Sequence, residues 1–295
     1  MNHKLTAYAA ASLTVVLWGM SYIWSDRLLD QGIPVEYFVP IRILLAGTLL
    51  LVINLLTKQS LKMKKGDFLR FALLALCMPF VYFLAETYGI LFTDSPTITS
   101  LIIATNPLFA MVVGLLIFRE KFGLANIIGV FVTLGGLWMV LYTRTATGPN
   151  FWIGIVILFI AVAAEVSQIA FTKELSSRYS PSVIVMYQFL IGAIFFIPMF
   201  LTKGISNFEP GLYTGWNVIY PTLALALLCS ATAFTSWAYA IGKLGVARTS
   251  VFLALVPMVT ALLCILVGDE RLAPLQWAGL AVGMVGIYLT QKENK

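Results

Sequence analysis

Ten stretches of about 20 mostly apolar residues run along this chain, the length an α-helix needs to cross the hydrocarbon core of a bilayer. They fall at approximately 5–25, 35–57, 68–90, 95–118, 122–142, 151–173, 181–201, 217–241, 247–267 and 273–290. Short polar links divide them, among them Asp94, Arg119-Glu120-Lys121, Lys243 with its flanking glycines, and Asp269-Glu270-Arg271. A water-soluble fold is excluded by arithmetic: 295 residues that are 60% hydrophobic and 11% charged lack the polar surface to cover themselves. The expected class is an all-α integral membrane protein whose solvent is the lipid bilayer.

The charges that remain set a direction. With the N-terminus inside, the cytoplasmic segments hold 14 Lys and Arg and the opposite side 4, with Arg42 alone inside a span. Such a bias places both termini in the cytoplasm, as an even number of spans requires. The net charge of +6 is then a matter of orientation in the cytoplasmic membrane, and no nucleic-acid partner is expected. Cys77, Cys229 and Cys264 share no short spacing and read as small core residues, with no metal site or disulfide framework. The first apolar stretch is longer than a signal-peptide core and has no clear cleavage site, so it reads as part of the mature protein.

The chain repeats itself. SPTITSLIIATNPLFAMVVGLLIFREKFGLANIIGVFVTLGG from Ser95 aligns without gaps with GVARTSVFLALVPMVTALLCILVGDERLAPLQWAGLAVGMVG from Gly245. At that offset of 150, Thr99-Ser100 matches Thr249-Ser250, Pro107 matches Pro257, Glu120 matches Glu270, and Gly129 and Gly136 match Gly279 and Gly286. Earlier spans align at nearby offsets, Tyr88 with Tyr239 and Arg42 with Gln188. Five spans per half is an odd number, so the second half enters the membrane inverted, an architecture of many secondary transporters.

LWGMSYIWSDRLL in the first span, PIRILLAGTLLL in the second, and the twin segments with their proline and Glu-Lys or Glu-Arg turns resemble the drug/metabolite transporter superfamily, EamA type. The resemblance covers nearly the whole chain. It implies ten helices in two inverted five-helix repeats, here residues 1–145 and 150–292, with no nucleotide hydrolysis and no cofactor. It further implies a central path lined mainly by spans 1–4 and 6–9, with spans 5 and 10 peripheral. The family's cargoes are diverse, so it implies a mode of transport and no particular substrate. Glu165 departs from the pattern, standing where such repeats often carry Trp or a small residue.

Three ionisable residues lie within spans: Arg42, Glu86 and Glu165. A charge at the bilayer centre costs about 2.5–3.5 kcal/mol by insertion scales, so each calls for a partner or a wet cavity. At about 1.5 Å per residue, Arg42 and Glu86 lie roughly 10 and 6 Å from the outer ends of their helices and can meet in the outer half. Glu165 lies roughly 12 Å from the inner end of its helix, with Gln168 and Gln188 nearby in depth. Arg42 and Glu86 read either as a structural ion pair or as contacts for a polar substrate or a coupling proton. Glu165 carries the same pair of readings, satisfied by Gln168 or functional. Aromatics crowd the outer half of the first repeat, including Tyr22, Tyr82 and Tyr88, and most suit packing or the membrane interface. Trp18 is too deep for that belt, and aromatic faces beside a carboxylate can hold an organic cation or stack an aromatic amino acid. Asn106-Pro107 and Val256-Pro257 are matched helix interruptions, either a pointer to a binding region or simple kinks. Trp237 is the mate of Glu86, so the charge is an asymmetric addition to a repeated scaffold. GLAVGMVG from Gly279 carries a Gly-x-x-x-Gly spacing suited to close helix packing, within a monomer or in a homodimer.

The function this supports is secondary active transport of a small polar or amphipathic metabolite (amino acid, amine or drug-like organic cation) by alternating access, with proton coupling open. A passive channel or facilitator is the alternative, and a membrane-embedded enzyme is less well supported. The only histidine is His3, no Asp lies deep in a span, and no phosphate-binding loop of the Walker type is present.

Overall fold

A computed structural model of the chain describes residues 2–106, 108–109, 123–142, 149–204, 213–244, 249, 252–253, 255–267 and 272–290, and among these no strand occurs. The helices are α1 (Asn2–Asp30), α2 (Val35–Leu56), α3 (Asp67–Thr93), α4 (Pro96–Ile103) and α5 (Leu124–Tyr142) in the first half. The second half holds α6 (Phe151–Ser176), α7 (Pro181–Met199), α8 (Trp216–Leu244), α9 (Val256–Val267) and α10 (Pro274–Thr290). Among the described residues seven helices are long and apolar enough to cross a membrane, and α9 and α10 are shorter apolar helices. The far part of the fourth expected span, Pro107 and the Arg119-Glu120-Lys121 and Asp269-Glu270-Arg271 turns lie outside the described residues.

Helices outrun the apolar stretches that announce them. α1 continues five residues past the expected end at Ser25, through Asp26, Arg27 and Asp30, and α3 extends to Thr93. Backbone hydrogen bonding does not stop where hydrophobicity does, and the last turns close on polar caps. Large side chains that a soluble protein would bury face outward, among them Phe131, Leu266 and Leu56. Trp138 and Tyr142 near the end of α5, Trp152 at the start of α6 and Trp216 at the start of α8 are likewise exposed, the placement expected of interfacial aromatics.

Packing between the halves is reciprocal. α1 packs on α8 and α9, and α6, its counterpart, packs on α3 and α4; α2 packs on α7. At one end Gln31 meets Asn217, Tyr37 lies 4.0 Å from Tyr213, and Lys203 stands 3.7 Å from Glu36. At the other, Asp67 accepts from Arg178 at 2.7 Å and Tyr179 at 2.8 Å, while Asn54 accepts from Ser182 at 2.7 Å. α5 and α10 cross antiparallel through glycine. A Cβ on Gly136 would stand 2.4 Å from the Gly283 nitrogen and 2.6 Å from the Gly279 oxygen, and one on Gly129 would stand 2.8 Å from the Gly286 oxygen. The Gly-x-x-x-Gly spacing is thus spent within the monomer.

Helix breaks also recur. α3 and α8 each contain a π-helical stretch at matched places, Leu76–Val81 and Leu225–Thr232. In α3 the backbone leaves helical geometry at Met78 (φ −142°, ψ 120°) before Pro79. The freed Met78 carbonyl accepts from Gln188 Nε2 at 2.9 Å, and Gly192, one turn on, leaves room for the Pro79 ring. The turns before α9 and after α4 match too: Thr105 N donates to Ile102 O and Leu255 N to Phe252 O, both at 3.0 Å and 150 residues apart. Interruption therefore comes just ahead of the Asn106 and Val256 positions where the sequence places it.

Two substitutions test this packing. Gly136→Val should lower the thermal midpoint in detergent by an amount equivalent to about 1–3 kcal/mol, from overpacking. Gly135→Val, whose Cβ would meet nothing within 4 Å, should leave it unchanged. Gln188→Leu orphans the Met78 carbonyl and should cost about 1–3 kcal/mol in the same assay.

Candidate functional site

A cavity of about 180 Å³ lies between the halves, lined by residues of α1, α2, α3, α6, α7, α8 and the α4 and α9 segments. No described residue of α5 or α10 borders it. Nine of the ten residues singled out in sequence line it: Trp18, Arg42, Tyr82, Glu86, Asn106, Glu165, Gln168, Gln188 and Trp237. Tyr88 does not. Its hydroxyl donates to Glu36 Oε1 at 2.6 Å, beside Lys203, at the end of the bundle.

Arg42 and Glu86 share the cavity without the direct ion pair that is one of the two readings their sequence positions leave open. Arg42 is 1% exposed, its Nε donates to Ser230 Oγ at 2.8 Å, and its guanidinium carbon sits 4.2 Å from the centre of the Phe83 ring. A desolvated cation–π contact of this kind is worth about 2 kcal/mol. Glu86, 4% exposed, accepts from the Tyr82 hydroxyl at 3.0 Å, with Tyr22 also on the cavity wall. The two charges feel each other electrostatically, yet each is held by neutral groups of the wall. The π-helical stretch of α8 is what brings Ser230 against Arg42.

Glu165 stands on a polar stripe of α6. Glu165, Gln168, Thr172 and Ser176 recur every three or four residues, which puts them on one helix face, and all four line the cavity. Thr172 donates to Gln168 Oε1 at 3.0 Å, and among the described residues no hydrogen bond joins Gln168 to Glu165. Asn106 interacts with the Glu165 carboxylate. Gln188 is also accounted for, by the Met78 carbonyl. The aromatic wall is formed by Trp18 with Trp237 and Phe234, each ring pair 5.2 Å apart between centroids.

Several lining atoms remain unmatched. Trp18 Nε1, Arg42 Nη1, Asn106 Oδ1 and Glu165 Oε2 are buried without a hydrogen-bond partner. Buried polar groups are paired in more than nine cases in ten, so four such atoms on one cavity call for a ligand or water.

Sequence reasoning reads Tyr22 only as a packing or interfacial aromatic, and it misses Ser230 and Thr172. Tyr22 was readable, since it lies four residues from Trp18 and Tyr82 lies four from Glu86, placing each pair on one helix face. Ser230 was not, because nothing in ALLCSATAF announces a change of helical pitch.

The model of the EamA-like transporter family matches this chain twice, at residues 5–142 and 152–291. An "Uncharacterized transporter" of Archaeoglobus fulgidus is 25% identical over 96% of this chain and 98% of its own. A "Probable terminal-alkyne amino-acid exporter" of Streptantibioticus cattleyicolor is 30% identical over 66% of this chain and 64% of its own. A "Probable amino-acid metabolite efflux pump" of Escherichia coli is 23% identical over 95% and 92%. A protein of known crystal structure superposes with a TM-score of 0.71 at 15% identity, covering 96% of this chain and 95% of that one, a likeness of fold.

Proposed function

Because this chain belongs to the EamA-like transporter family and is a multi-pass membrane protein, we propose that it is a secondary active transporter working by alternating access. Its cargo is a small polar or amphipathic metabolite of the amino acid, amine or organic-cation class, moved across the cytoplasmic membrane with both termini cytoplasmic. The observation that carries this reading is the cavity itself, enclosed between two halves that pack reciprocally and lined by ionisable groups in an apolar bundle.

The ten-helix, inverted-repeat architecture belongs to the same proposal. Support comes from the glycine crossing, where Gly136 faces Gly279 and Gly129 faces Gly286. These four are two pairs 150 residues apart, and the mutual, antiparallel contact is what a two-fold axis in the membrane plane produces. The amide at the start of each helix is bonded alike: Asn126 accepts from Gly123 N and Gln276 from Ala273 N, both at 2.9 Å. Two like halves can exchange conformations, and the exchange carries the cavity from one side to the other.

Glu86 and Glu165 supply the coupling. A buried carboxylate held by a phenol hydroxyl, as Glu86 is by Tyr82, can be protonated in one access state and ionised in the other. The names of two relatives bring amino acids forward among the cargo classes. Glu86→Gln should reduce proton-driven transport in proteoliposomes by at least about tenfold while leaving folded yield and thermal midpoint close to wild type. Glu165→Gln should do likewise. Wild-type rates in both variants, with stability alone altered, would make the carboxylates structural.

A further inference from the structure

The unmatched atoms of the cavity divide by chemistry. Arg42 Nη1 and Trp18 Nε1 are donors only; Asn106 Oδ1 and Glu165 Oε2 are acceptors when the carboxylate is ionised. Arg42 is fixed by Ser230 and the Phe83 face in a way that leaves this terminal nitrogen unspent. Among the described residues no carboxylate lies within ion-pair distance of its guanidinium. Asn106 is 3% exposed, and its Oδ1 and Glu165 Oε2 line the same cavity, so the two supply its unpaired acceptors.

From this division we infer that the cavity selects zwitterions. A substrate carboxylate is received by Arg42 and Trp18, and an ammonium group by Glu165 and Asn106. The inference rests on the reading of this cavity as the transport site and narrows its cargo. A simple amine or quaternary cation satisfies the acceptor group but leaves the buried Arg42 donor unpaired, and a simple anion does the reverse while facing Glu86 and Glu165. A molecule bearing both groups leaves neither end orphaned. Sites built around a buried hydrogen-bonding group reject analogues that lack its partner far more strongly than apolar pockets reject a change of size. The rest of the molecule lies against Trp18, Phe234 and Trp237, which suits an apolar side chain. Arg42 is on this account the specificity residue that separates amino acids from amines.

The test uses full-length purified protein and a panel of the common amino acids, each paired with its decarboxylated amine and its N-acetyl derivative. Binding is read by thermal shift and titration, and transport of the best ligands by proteoliposome flux. At least one amino acid should bind, with its amine and its N-acetyl derivative each weaker by at least about tenfold. Arg42→Gln should bring amino-acid affinity down to that of the amine and leave the amine unchanged. Should that variant fail to fold, the ligand series on the wild-type protein decides alone. An amine that binds as tightly as its parent amino acid, or a panel in which no amino acid binds, overturns the inference. Flux of an amine or organic cation without such discrimination would overturn it while leaving the carrier reading intact; zwitterion binding without any flux would do the opposite.

Discussion

Lipid offers no hydrogen bonds, so a chain dissolved in it must satisfy its polar groups from within, and the rest of this structure follows from that constraint. Long helices satisfy the backbone. Where a helix breaks, another side chain closes the gap, as Gln188 does for the Met78 carbonyl. Side-chain charges obey the same rule: Arg42 leans on a serine and a phenylalanine ring, and Glu86 on the Tyr82 phenol. Four lining atoms, Trp18 Nε1, Arg42 Nη1, Asn106 Oδ1 and Glu165 Oε2, are left without partners around one cavity.

On the proposed architecture the repeat turns this constraint into a machine with two equivalent shapes. Both ends of the bundle are tied by contacts between the halves, polar and aromatic around Gln31, Tyr37 and Glu36, ionic around Asp67 and Arg178. These ties sit at the margins, where water can replace them when an end opens. The glycine crossing of α5 and α10 sits apart from the cavity and has no such substitute, because its contacts are backbone against backbone. On the proposed mechanism it is the fixed element about which the remaining helices rearrange.

Much of this was legible in the residues. Hydrophobic run length announced the long spans, and the glycines at an offset of 150 marked the helices that would cross. Nine of the ten singled-out residues meet at one cavity because polar side chains deep in apolar runs have few other places to go. What the sequence leaves open has physical causes. Depth along a helix allows an Arg42–Glu86 pair, but the faces of α2 and α3 and the altered pitch of α8 give each charge a nearer partner. Tyr88 lies two residues beyond Glu86, about half a helical turn, which puts it on another face, toward Glu36. Pro79 marks the Met78 break locally, but the groups that accommodate it, Gly192 and Gln188, lie more than a hundred residues away, which no local pattern supplies.

The central claim is that one cavity between the halves is reached from either side of the membrane in turn. Ala238, a small residue of its wall, can be replaced by cysteine in a protein whose Cys77, Cys229 and Cys264 have been changed to alanine. Labelling Ala238→Cys with a membrane-impermeant thiol reagent in right-side-out and inverted vesicles tests the claim most directly. The account predicts reaction from both faces, slowed by bound substrate. Reaction from one face only, whatever the substrate, would contradict it.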